Sequence, residues 1–307
     1  MSHKNKKILI IGSSGLVGGN LLAFSSRYPL LTIPTFHLSI PDTFQKTGLH
    51  LDITNPNALR EILGTVQPDC VVNLSCMEVV RCENEPDRAH QLQVTGVKDL
   101  AVVCKEYNIR LIHLSSDMVY SGEKGSPYTL KDEPDPVSVY GRTKLAGERA
   151  LQEVLDNFVI VRSALVLGKG RFRIGGFLDW MIKRIARQEK LPLFSDQLRT
   201  PIIVDDLIAL IFALAESSFT GTLLAGGAEG LSRVEMGEKL FTAMGSSKKL
   251  INPISMDSII SSVPLQRDLR LDNSKIKEVV GREGFTDIDD YFLRGVKSVF
   301  DGFPRQI

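Results

Sequence analysis

The stretch Lys7-Ile-Leu-Ile-Ile-Gly12-Ser-Ser-Gly15-Leu-Val-Gly18 decides the architecture. A short β-branched run, three glycines spaced by three, and an apolar stretch from Leu16 to Arg27 read as strand, turn and helix. In that setting Gly12 permits the sharp turn, Gly15 lets a pyrophosphate approach the backbone, and Gly18 allows close helix–strand contact. The first N–H groups of the helix then face an anion. Gly12, Ser14, Gly15, Leu16, Val17 and Gly18 are therefore candidate phosphate-binding residues. The plainer alternative is a tight turn that uses glycine only for positive φ.

Working outward, β-branched runs alternate with amphipathic stretches, as a parallel sheet with crossover helices requires. Strands are expected at Lys7 to Ile11, Leu30 to His37, Leu49 to Ile53, Asp69 to Ser75, Arg110 to Ser115 and Phe158 to Leu165. Pro34 counts against the second. Helices are expected at Asn57 to Leu63, Asp87 to Glu106 and Ser138 to Leu155. The sum is an α/β, doubly wound parallel sheet of Rossmann type, residues 1–168, with 197–225 returning to it. After Gly168 a Gly- and Arg-rich loop leads to a helix from Phe177 to Gln188. Residues 169–196 and 226–307 read as a smaller substrate-binding lobe over the carboxyl edge of the sheet.

Composition narrows the classes. The 307 residues are 43% hydrophobic and 24% charged, with 37 Lys plus Arg against 36 Asp plus Glu. A net charge of +1 carries neither the basic footprint of a nucleic-acid binder nor the acidity of a disordered chain. The best apolar run, Ile202 to Ala215, is broken by Asp205 and Asp206 and is no membrane span. The opening MSHKNKKILIIG imitates a signal peptide only superficially, so a soluble, cytoplasmic chain is expected. Cys70, Cys76, Cys82 and Cys104 form no CxxC pair, and the five histidines form no HExxH, so no metal is expected.

Chemistry concentrates in two places. Tyr140-Gly-Arg-Thr-Lys144 puts a phenol and an ammonium one helical turn apart. A neighbouring ammonium stabilises phenolate, which is expected to draw Tyr140 toward a useful acid–base range. Ser116 closes the preceding strand, where a hydroxyl can donate to a substrate carbonyl. The GxxGxxG turn followed by Ser116, Tyr140 and Lys144 resembles the extended short-chain dehydrogenase/reductase superfamily. The words Leu114-Ser-Ser-Asp-Met-Val-Tyr-Ser-Gly122, Val139-Tyr-Gly-Arg-Thr-Lys-Leu-Ala-Gly-Glu148, Asp196-Gln-Leu-Arg-Thr-Pro201 with Val204-Asp-Asp-Leu207, and Leu271-Asp272-Asn-Ser-Lys275 resemble the dTDP-4-dehydrorhamnose reductase family over nearly the whole chain.

That resemblance implies NAD(P)H-dependent reduction of the 4-keto group of a nucleotide-linked deoxysugar, with Ser116, Tyr140 and Lys144 catalytic. It assigns Asp52 to the adenine ring, although Asp52 also reads as the cap of the next helix. Ile53, Leu74 and Ser75 at the end of the fourth strand, and Cys76 after it, are assigned to the same cleft, with Tyr140 and Lys144 touching the cofactor. No acid stands at residues 32 to 37; His37 either meets a 2′-phosphate or is an exposed strand end, and the lean is to NADP(H) over NAD(H). Ser116, Asp117, Met118, Arg173 and Arg199 are assigned to the substrate, the two arginines as diphosphate partners if not part of a solvated face. Met118 stands where dehydratases of this fold carry a second acid. The family also includes a regulatory subunit of methionine adenosyltransferase, so a binding role without catalysis is the alternative, beside an epimerase or dehydratase. The superfamily often forms homodimers, though no sequence feature here fixes that state. Leu165, Leu265-Gln266 and Gln93 depart from the family's usual Trp, Arg-Pro and Asn.

Overall fold

The computed structural model describes residues 6–38, 41–172, 175–245, 247–281 and 285–300. In the first half the chain forms β1 (Lys6–Ile11), α1 (Leu16–Phe24), β2 (Leu30–Phe36), β3 (Leu49–His50), α2 (Pro56–Val66), β4 (Cys70–Asn73), α3 (Val79–Asn84), α4 (Pro86–His90), α5 (Gly96–Glu106), β5 (Arg110–Ser116), α6 (Val139–Gln152) and β6 (Phe158–Ser163). The remainder forms β7 (Val166–Leu167), α7 (Phe177–Ala186), β8 (Leu191–Phe194), β9 (Leu198–Arg199), β10 (Ile202–Ile203), α8 (Val204–Glu216), β11 (Gly221–Ala225), β12 (Leu231–Ser232), α9 (Arg233–Ala243), β13 (Ile251–Ile254), α10 (Ser274–Val280) and α11 (Ile288–Phe300).

Seven parallel strands build the central sheet in the order β11-β6-β5-β4-β1-β2-β3. The order reverses between β1 and β4, which opens a crevice at their carboxyl ends. Alternation along β1 shows why both faces must be covered. Ile8 and Ile10 join the core that includes Leu207, Ile211 and Phe212 of α8, while Leu9 and Ile11 join Leu59 and Leu63 of α2 and Leu100 of α5. A third core gathers Leu178 and Met181 of α7, Leu193 of β8, Met236 and Leu240 of α9, and Phe292 of α11. β8 with β13, and β9 with β12, add two small sheets beside it.

Three local expectations change. Pro34 sits inside β2, opposite Ile10, and is tolerated because pairing with β3 involves only Thr35 and Phe36 of β2. β3 stops at His50 because Asp52 turns the chain, its Oδ1 accepting from Thr54 N and Oγ1. The helix expected from Asp87 to Glu106 is α4 and α5 joined through a π-helical turn, Gln91–Thr95. The turn presses the Gln93 carbonyl against α6 at Gly147, where a Cβ would collide with it.

Helix α6 is fixed to the sheet by charge. Glu148 lies one turn beyond Lys144, and its carboxylate accepts from Arg162 Nε (3.1 Å) and Nη2 (2.7 Å) on β6, and from Ser115 Oγ on β5. Arg162 Nη1 also donates to Tyr120 Oη at 2.8 Å. Glu148 is fully buried, so removing its partner strands a carboxylate. Arg162→Met is expected to lower unfolding free energy by about 3–5 kcal/mol, read from the urea midpoint.

Candidate active site

Gly12 leaves β1 at φ +86°, and a Cβ there would lie 2.9 Å from Leu74 C and 3.0 Å from Ser75 N. A Cβ on Gly18 would collide with the Gly12 carbonyl, so the helix enters against the turn itself. Gly15 differs: a Cβ there would meet only Gly12 O, at 3.4 Å, so its outer face is open. No side chain caps α1, and the N–H groups of its first turn lack helical partners. Ser14 and Leu16 are half-buried, whereas the Val17 side chain belongs to the core, leaving only its backbone for a ligand.

At the far side of the crevice, His37 Nε2 stands 3.5 Å from Asp52 Oδ2. Partial burial raises the Asp52 carboxyl, but the Thr54 hydrogen bonds and the charge of His37 outweigh it and hold the pKa below the usual value. The capping alternative fails: the cap of α2 is Asn55, whose side chain accepts from Asn57 N and Ala58 N. Ile53 and Leu74 are buried, Ser75 is half-buried and Cys76 is exposed at the crevice.

Ser116 ends β5 and caps the short turn Asp117–Val119, accepting from Met118 N at 3.2 Å. Its Oγ donates to Asp117 Oδ1 at 3.0 Å. Tyr140 occupies the first turn of α6, whose cap is Ser138. Burial pushes the Tyr140 phenol well above its ordinary value, Cys76 and Asp117 add to that, and Ser116 acts against it. Lys144 is 1% exposed; its Nζ donates to Leu114 O at 2.6 Å and lies 3.4 Å from His113 Nε2. Burial lowers its proton affinity. Here the structure corrects the expectation from spacing. Phenol and amine share a helix, but the amine turns to β5, and burial, not Lys144, governs Tyr140.

On the substrate side, Asp117 Oδ2 is buried without a hydrogen bond, 3.7 Å from Arg199 Nε. Burial raises the Asp117 carboxyl and Arg199 opposes that shift. Arg199 is 5% exposed, and its Nη atoms donate to Leu198 O, Arg267 O and Gln266 O. It offers no free edge for a diphosphate, which corrects that assignment. Arg173 lies outside the described residues. Met118 is half-buried, its carbonyl accepting from Gln266 Nε2 at 3.2 Å.

The departures from the family words have defined work. Gln266 also donates to Tyr120 O, fastening the C-terminal lobe over the β5 turn. Gln93 accepts from Met77 N at 3.2 Å and donates to Thr143 Oγ1 at 2.6 Å, tying the loop after β4 to α6. Leu165 packs against the third core. Two residues near the site escaped the sequence reading. Arg233, whose Nε donates to Gln197 Oε1, carries a buried Nη1 without a partner and interacts electrostatically with Asp117. His113 stands in an otherwise apolar strand, and that polar interruption was its only signal.

Residues 6–286 match the family described as RmlD substrate binding domain. A protein of Haloferax volcanii named "Probable low-salt glycan biosynthesis reductase Agl14" is 28% identical, over 96% of this chain and 98% of its own. A dTDP-4-dehydrorhamnose reductase of Streptomyces griseus is 32% identical, over 88% of this chain and 86% of its own. The crystal structure of a dTDP-4-dehydrorhamnose reductase of Bacillus anthracis in complex with NADP aligns at TM-score 0.82 and 21% identity, covering 96% of this chain and all of that one. Among the described residues no helix is long and apolar enough to cross a membrane.

Burial of Lys144 makes a stability prediction. Its folded-state pKa lies below 10.5, so the buried ammonium costs stability at all pH below that folded value. The cost fades as pH climbs from the folded value toward 10.5. Lys144→Met is expected to raise unfolding free energy at pH 7 by about 0.5–2 kcal/mol. In urea titrations the gap from the parent should close in alkali.

Proposed function

The chain belongs to the RmlD substrate-binding-domain family, and from that membership we propose that it is an NAD(P)H-dependent reductase of the 4-keto group of a nucleotide-linked deoxysugar. The observation that carries this reading is the meeting of two elements beside the switch between β1 and β4: β5, which ends at Ser116, and α6, which carries Tyr140 and Lys144 and is tied to β5 through Lys144 Nζ and Leu114 O.

The residues present fit a dinucleotide. The open face of Gly15 and the uncapped start of α1 receive its diphosphate, and Gly12, Ser14, Leu16, Val17 and Gly18 complete that cradle. Asp52 and Ile53 would hold the adenine, and Leu74, Ser75 and Cys76 line the way to the catalytic edge. His37 stands where an acid would select NAD(H), so NADP(H) is assigned in preference. When bound, the nicotinamide supplies the hydride.

The chain's own residues handle the proton and the oxygen. Burial keeps Tyr140 protonated, so the phenol reaches the reaction as a donor. As the ketone oxygen gains electron density it becomes a far stronger base than phenolate, and Tyr140 gives its proton there. Ser116 Oγ, fixed by Met118 N, turns its hydrogen from Asp117 Oδ1 to the same oxygen. Lys144 would hold the nicotinamide ribose. Simple reduction fits better than elimination because Met118 takes the place of a second acid.

The lobe of residues 169–196 and 226–307 is assigned the sugar nucleotide, with Asp117 and Met118 at its inner wall. The proposal extends to a cytoplasmic homodimer.

With a dTDP-4-keto-6-deoxysugar, Tyr140→Phe is expected to lower kcat by about 10²–10⁴-fold and Ser116→Ala by about 10²–10³-fold, read as NADPH oxidation. Dissociation constants for NADPH should stay at the parent value in both. Undiminished turnover by Tyr140→Phe would remove the assigned acid. NADPH is expected to bind the parent more tightly than NADH; the reverse order would overturn the role of His37.

A further inference from the structure

A buried polar chain runs behind the catalytic edge. Asn73, at the end of β4, and His113, midway along β5, are register partners, and both are fully buried. Asn73 Oδ1 is identified by its donors, since Ser75 N (3.1 Å) and Ser75 Oγ (2.6 Å) both point to it. The atom facing His113 Nδ1 at 3.1 Å is then the amide nitrogen, which can only donate. Nδ1 must therefore be the unprotonated ring nitrogen. In the neutral imidazole the hydrogen sits on Nε2, and Nε2 lies 3.4 Å from Lys144 Nζ. An N–H aimed at an ammonium is repelled by it, whereas the same N–H is accepted by a neutral amine.

We propose that His113 is a positioning residue for the reduction: Asn73 locks it as the Nε2–H tautomer, and that N–H loosens the hold of Lys144 on its proton. The inference rests on reading Ser116, Tyr140 and Lys144 as the reduction centre. Burial drives Lys144 the same way and keeps His113 far below its ordinary value, hence neutral. The other titratable groups acting on Lys144 are Cys76 after β4, Cys82 on α3 and Glu148 on α6. Cys82 is a neutral thiol, pushed up to about 11 by burial. Glu148 is already engaged by Arg162 and Ser115. His113 is thus the neighbour whose state another side chain fixes.

Nitrogen NMR of the imidazole reads the tautomer directly, without substrate. The expected result is protonated Nε2 and bare Nδ1; a proton on Nδ1 overturns the proposal. Asn73→Asp supplies an acceptor instead of a donor, so His113 should switch to Nδ1–H and offer Nε2 as an acceptor to the ammonium. By ¹³C NMR titration, the Lys144 pKa should then rise by about one unit. Adding His113→Phe to Asn73→Asp should abolish that rise; a rise that persists means the new carboxylate acts alone, and the tautomer lock is wrong. In turnover with a 4-keto nucleotide sugar, the alkaline limb of kcat should move up with the Lys144 pKa while the cofactor KM stays near the parent value. A moved pKa with an unmoved limb leaves the lock intact but ends the role of the lysine in reduction, and with it the positioning role. Absence of turnover in the parent, with the tautomer and titration results as expected, rejects the functional reading and supports the lock.

Discussion

Everything at the carboxyl edge of β5 depends on how α6 lies against β5 and β6, and a buried ion pair decides that. Arg162 reaches from β6 to the carboxylate of Glu148, and Ser115 reaches the same carboxylate from β5. Tyr140, Lys144 and Glu148 recur at four-residue intervals on one helix face. Anchoring the third therefore aims the first two at the strand end that carries Ser116. Glycines let the helix come this close. Gly147 receives the Gln93 carbonyl, and at Gly141 a Cβ would run into the Met118 carbonyl. A desolvated charge pair contributes less to stability than its Coulomb energy implies, so its value here is in direction.

Once placed, the two titratable groups are driven apart in meaning by the same burial. Water is withdrawn from both, which favours neutral phenol at Tyr140 and disfavours ammonium at Lys144. A proton donor and a labile cation thus stand on successive turns, with a hydroxyl across from the donor. The site is assembled from strand ends and a helix start, elements that move little, and not from long loops.

The sheet was legible because buried parallel strands leave continuous β-branched runs, and six of its seven strands were placed from these alone. The glycine turn was legible because its demands on the backbone are local. What the sequence hid depends on partners distant along the chain. Arg199 looked like a phosphate ligand, but its donors meet carbonyls of Gln266 and Arg267, more than sixty residues later. Lys144 looked like a partner for Tyr140 until the Leu114 carbonyl claimed it. The π-helical turn has no compositional mark; only Gly147, on another helix, answers to it.

Gln266 closes the carboxyl edge of β5 from far along the polypeptide, reaching the carbonyls of Met118 and Tyr120 across a separation of 148 and 146 positions. A ribosome must therefore have passed residue 266 before this roof can be fastened. The strands of the first half can pair early, yet the turn after β5 stays uncovered until Gln266 emerges. Loop-closure entropy makes such a fastening among the last steps of folding.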